Sequence, residues 1–126
     1  IKLSKNRRFL MIEIKPLFTK QNLKILLKET KNLKNYSLTS FKEKNIIHLY
    51  KIKKNLNLGL IIPSTFTWKR IIEKSKKKFV KFLVLEKKFI REKKLNKIKK
   101  KIYFYTIKDK KLFNKFSNKN LIFENL

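Results

Sequence analysis

The sequence contains no cysteine and no alanine, and only one glycine, two prolines and one histidine. Without cysteine there is no disulfide, no thiolate nucleophile and no Cys-based zinc site. One glycine is too few for a glycine-rich phosphate loop, which needs several points of close backbone approach. Acids are scarce as well, eight against 36 bases, for a formal net charge of +28 over 126 residues. The longest uncharged run, 55–68, is too short and too interrupted by Asn, Ser and Thr to span a bilayer, so no transmembrane segment is expected. No secretory leader is expected either, because "IKLSKNRRFLMIEI" lacks an apolar core and a small-residue cleavage site.

The groups that remain do not form an obvious catalytic set. His48, between Ile47 and Leu49 in a strand-like stretch, reads as a structural side chain. The carboxylates of Glu13, Glu29, Glu43, Glu73, Glu86, Glu92, Asp109 and Glu124 are scattered. Glu86 and Glu92 are flanked by lysines and miss the one-turn spacing of a pair, so they read as local charge balance. No metal-ligand spacing occurs. The expectation is a protein without catalytic residues, metal, cofactor or small-molecule substrate.

What is present is lysine, 32 residues of it against four arginines, with abundant Asn, Ile and Phe. The scarce residues are those with G/C-rich codons, the mark of an AT-rich genome. A chain this basic repels itself and calls for a polyanion, of which nucleic acid is the commonest. Its hydrophobic content of 42% is too high for a disordered tail.

Local patterns place a strand in "RFLMIEIKPLF" (8–18), ended by Pro16, and a helix over 20–36 capped by Thr19. "SLTS" (37–40) reads as a break and "NIIHLYKIK" (45–53) as a second strand. "LGLIIPSTFTW" (58–68) gathers Gly59, Pro63 and Trp68 into a neutral structural turn. A long basic helix, straight or bent, is expected from Glu73 to Lys100, then a strand over 100–108. The tail is expected to order only against a partner. The expected fold class is α+β: a small module with a long basic helix and a few short strands, partly ordered by RNA and neighbouring proteins. Three parts are expected: an extension over 1–54, a core over 55–108 and an Asn/Phe-rich tail over 109–126.

Phosphate contacts are expected from Lys5, Arg7 and Arg8, from Lys53 and Lys54, and from Lys69, Arg70, Lys74, Lys76, Lys77 and Lys78. Arg91, Lys99, Lys100 and Lys101 complete the set. Lysine is a hydrated point charge suited to phosphate rather than to base edges.

Leu58, Gly59, Leu60, Ile61, Pro63, Thr67 and Trp68 resemble the N-terminal signature of the third protein of the small ribosomal subunit. Glu86 and the pair Ile90–Arg91 resemble the basic helix that follows it in that family. "IEKSKKKF" (72–79) is similar to the basic loop of the tenth small-subunit protein. The resemblance implies a structural constituent of an organellar, mitochondrial small ribosomal subunit located in the matrix. Its implied partners are rRNA, neighbouring ribosomal proteins and a separately encoded KH-containing remainder. The alternatives are a large-subunit ribosomal protein and a basic accessory subunit of an inner-membrane complex.

Overall fold

Short apolar runs alternate with helical segments along the whole chain, and each run becomes a strand of one sheet. The computed structural model describes residues 10–108, 110–116 and 119–123. The order is β1 (Leu10–Glu13), α1 (Lys20–Thr30), β2 (Tyr36–Ser40), α2 (Glu43–Ile52), β3 (Leu58–Ile61), α3 (Trp68–Ser75) and β4 (Phe82–Glu86). Two short 3₁₀ turns, 87–89 and 93–97, lead to β5 (Lys101–Ile107), α4 (Lys110–Lys115) and β6 (Asn120–Phe123). All six strands are parallel and lie in sequential order. Parallel crossovers are right-handed, so a sheet that never reverses its strand order keeps its helices on one face and leaves the other bare.

Strand alternation divides the side chains between these faces. Leu38, Leu58, Leu60, Leu83, Leu85 and Phe104 point to the helices and join Leu23, Ile46, Leu49 and Ile71 in the main core. Each fully buried aliphatic side chain there contributes about 1.5–3 kcal/mol. On the bare face Ile61, Phe82 and Val84 form a smaller cluster with Met11, Tyr103, Tyr105 and Ile122.

The sheet is curled. One cavity of about 220 Å³ is lined by Met11 and Glu13 of β1, Thr39 of β2, Ile61 of β3, Val84 of β4, Tyr105 of β5 and Ile122 of β6. In a flat sheet β1 and β5 would stand about 19 Å apart, four spacings of roughly 4.8 Å, and could not share a cavity.

This architecture corrects the expected fold class. The long basic helix does not exist: α3 ends at Ser75, and Phe82–Glu86 is a central strand with four buried apolar residues in a row. β4 is apolar on both sides because helices cover one and the other packs into the inner cluster of the curled sheet, and the absence of Gly and Pro concealed this run. Residues 43–52 are a helix, because the buried Asn45, Ile46 and Leu49 follow helical rather than alternating spacing. "SLTS" is part of β2, whose small polar side chains bond to the neighbouring strand: the Thr39 hydroxyl donates to Ile12 O and that of Ser40 to Ile14 O. Gly59 lies inside β3 rather than at a turn. In the tail, β6 pairs with β5 of the same chain. The strand over 101–107 and the Thr19 cap, which accepts from Asn22 N at 3.1 Å, lie where the sequence placed them.

Candidate active site

The C-terminal ends of β1 and β4 both carry a glutamate, Glu13 closing "LMIE" and Glu86 closing "FLVLE". In parallel β/α sheets ligand sites lie at this end, where the strands' carboxyl ends and the following loops face solvent. Met11 and Glu13 share the inner face, Ile14 is buried in the core opposite, and Lys15 is exposed on the connection that follows β1.

Tyr105 marks the centre of this end. Its phenol is pushed up from its ordinary value by burial first, then by the charges of Glu86 and Glu13. Two carboxylates from strands three positions apart therefore act on one hydroxyl. The Tyr105 hydroxyl donates to Ile62 O at 3.1 Å, and the Phe41 ring meets the Tyr105 ring edge-on at 6.1 Å. Glu86 caps the first 3₁₀ turn, its Oε2 accepting from Lys88 N at 3.0 Å. Phe41 stays exposed on the same rim and gives the cavity an apolar lip.

The loop bearing Lys15 is fixed by the fully buried Asn45. Its Oδ1 accepts from Phe18 N at 2.9 Å, and its Nδ2 donates to Pro16 O at 2.8 Å and Ser40 Oγ at 3.2 Å. A second hollow of about 150 Å³ near this end lies among Phe41, Glu43, Pro63, Arg70 and Lys74. There Lys74 Nζ is paired with Glu43 at 2.8 Å, and the Arg70 guanidinium stacks on Phe66 at 3.7 Å.

The basic residues singled out from the sequence do not gather here. Lys5, Arg7 and Arg8 lie outside the described residues. Lys69, Arg70 and Lys74 sit on α3, and Arg91 lies over the Phe116 ring beyond the first 3₁₀ turn. Lys53, Lys54, Lys76, Lys77, Lys78, Lys99 and Lys100 occupy loops at the opposite, N-terminal end of the strands, where Lys101 begins β5. Pro63 starts the connection after β3, and Trp68 opens α3 with its ring edge-on to Phe89 at 5.1 Å. His48 lies in α2 with Nδ1 buried and unpartnered, and it does not line the cavity. Among the described residues no group of three acidic, His or Cys side chains is placed to hold a metal ion, and no helix is long and apolar enough to cross a membrane.

Sequence reasoning missed Glu13, Lys15, Glu86 and Tyr105. The usable signal was an apolar strand ending in glutamate, present twice, with Lys15 one alternation beyond the first. Reading 73–100 as helix turned Glu86 into a surface charge.

No protein-family model matches the chain, and no curated protein is similar to it in sequence. Solved structures do match. A phosphodiesterase from Oleispira antarctica, in complex with the product sn-glycerol-3-phosphate, has a TM-score of 0.73 and 17% identity over 91% of this chain and 50% of its own. A glycerophosphodiester phosphodiesterase from Parabacteroides distasonis has a TM-score of 0.65 and 13% identity, covering 91% of this chain and 52% of its own. Another, from Agrobacterium tumefaciens, has a TM-score of 0.62 and 13% identity, covering 94% and 53%. At these identities the likeness shows the fold, a curled parallel β/α sheet of the barrel kind, and the chain spans about half the length of the structures it matches.

These findings overturn the ribosomal resemblance and the expectation of a non-catalytic ribosomal constituent. The residues that carried the resemblance, 58–68, are a buried strand and its connection to α3. Their apolar character serves sheet packing. Glu86, read from the sequence as local charge balance, and Glu13 stand at the C-terminal ends of β4 and β1.

Proposed function

We propose that the chain carries part of a phosphodiesterase site, with Glu13, Lys15 and Tyr105 around a phosphodiester at the C-terminal ends of β1 and β5. The observation that carries this reading is the cavity drawn from all six strands, with the Glu13 carboxylate in its wall and Tyr105 in its floor. The likeness to phosphodiesterases of the same fold supports it.

The chemistry follows from the groups present. Water attacks phosphorus, Glu13 takes the proton released, and the bond to the leaving alcohol breaks. The proton on Glu13 then passes to the leaving alkoxide, giving a phosphomonoester and an alcohol. The Lys15 ammonium offsets charge gathering on the phosphoryl oxygens. Tyr105, kept neutral by burial and the two carboxylates, floors the cavity and holds Ile62 O. Glu86 acts as a positioning group through its cap on the following turn.

Incubating the full chain with a glycerophosphodiester, with and without divalent cations, and measuring sn-glycerol 3-phosphate release tests the reading. Saturable release is expected, and Glu13→Gln lowers kcat by on the order of 100-fold with an unchanged melting temperature. Absence of release together with absence of calorimetric binding of sn-glycerol 3-phosphate overturns the proposal.

A further inference from the structure

Charge is sorted by end of the sheet. Among the connections whose residues are all described, four run from a helical segment into the next strand: "KNLKN" (31–35), "KKNLN" (53–57), "KKKFVK" (76–81) and "IKK" (98–100). They hold two, two, four and two lysines, ten in all, with no acidic residue. The connections leaving strands, 14–19, 41–42, 62–67 and 87–92, together with Lys108 after β5, hold six bases (Lys15, Lys42, Lys87, Lys88, Arg91 and Lys108), and these are offset by Glu92 and by Glu13, Glu43 and Glu86 beside them or at the strand ends. Mutational drift toward lysine codons is blind to which end of a strand a codon encodes, so drift alone does not produce this separation.

Parallel strands in sequential order bring all four lysine connections to one face, opposite the candidate active site. Nine of the ten lysines are exposed, and among the described residues none is ion-paired; the nearest acids are Glu29 and Glu73 in the last turns of α1 and α3. Lys100 is the exception in exposure: half-buried, its Nζ donates to Lys77 O at 2.6 Å and binds two of the connections together. Burial and the neighbouring charge of Lys81 lower its pKa. Between the first two connections lies a hollow of about 230 Å³ walled by Asn35, Tyr36, Lys53, Asn55 and Asn57, of a size and polarity to admit a phosphate-bearing headgroup.

We propose that this lysine-lined N-terminal face is a docking surface for an anionic lipid bilayer. The matching chemistry is a plane of phosphate and carboxylate headgroups, each lysine near it adding about 1 kcal/mol. Two features favour a bilayer over a polynucleotide. The four connections contain no arginine to fork onto a base, and no exposed aromatic on which bases would stack. The lysines are also spread over the loop tips of one sheet end rather than lining a groove. Docked this way, the chain turns its candidate site toward water. The inference does not depend on the proposed activity and is read without it.

The test is co-sedimentation of the full chain with vesicles of equal parts phosphatidylserine and phosphatidylcholine, against pure phosphatidylcholine, at low and moderate salt. Binding to the anionic vesicles alone, weakening as salt rises, is expected. Reversing Lys53, Lys54, Lys77 and Lys78 to Glu together lowers the partition coefficient by on the order of 100-fold or more. Reversing Lys20, Lys42, Lys44 and Lys69, exposed at the helix starts on the opposite end of the sheet, costs far less, and circular dichroism checks that both variants fold. If folding fails, the same four loop lysines changed to Gln provide the reading. Equal binding to neutral vesicles, equal losses for the two sets, or retention of single- or double-stranded RNA without vesicle binding overturns the proposal.

Discussion

Gly59 is the one position at which β3 admits no side chain. A Cβ there overlaps the Phe82 ring, which crosses the inner face of the sheet from β4 and meets Tyr103 edge-on at 5.3 Å. The single glycine of the sequence is thus a close-approach residue in a strand, and the turn-forming reading of it took the commoner role of glycine. Gly59→Ala is expected to cost about 1–3 kcal/mol in urea unfolding, because the ring must leave its packed position. The cost should shrink in a Phe82→Leu background, and an unchanged midpoint for Gly59→Ala contradicts this packing. At the same scale Glu13 and Glu86 were visible in the sequence, but only the strand ends could distinguish them from surface carboxylates.

Among the elements, the first strand, the capped first helix and β5 were legible because apolar runs, a Thr cap and β-branched or aromatic residues agreed there. The second helix and β4 were not. "NIIHLYKI" contains the β-branched residues of a strand, but tertiary burial of Asn45, Ile46 and Leu49 on one face selects a helix. "FLVLE" lacks polar alternation because helices and inner-face residues cover both of its sides. Asn45 shows how an element at one strand end governs a loop at another. It replaces missing backbone partners for the connection between β1 and α1, which carries Lys15. Asn45→Ala removes three hydrogen bonds, two of them to the backbone of the 14–19 connection, and an unfolding loss of about 1–3 kcal/mol is expected. A midpoint shift equivalent to less than about 0.5 kcal/mol contradicts the bridging role, since three such bonds together contribute more than that.

For the whole molecule, the sequence established a strong polycation with a real core, and it left open where the charge goes. Only topology answers that: one direction for all strands separates the ends of the sheet into an acid-bearing rim and a lysine-bearing floor. No pattern of neighbouring residues encodes this separation, since Glu13 comes near the Glu86–Tyr105 pair only when the sheet curls. The active-site account and the basic floor can therefore be resolved in a single titration. Following backbone amide shifts of the isotope-labelled full chain as sn-glycerol 3-phosphate is added, the account predicts saturable changes at Glu13, Lys15, Thr39 and Tyr105. Changes confined to 31–35, 53–57 and 76–81, with the C-terminal strand ends unmoved, would contradict it.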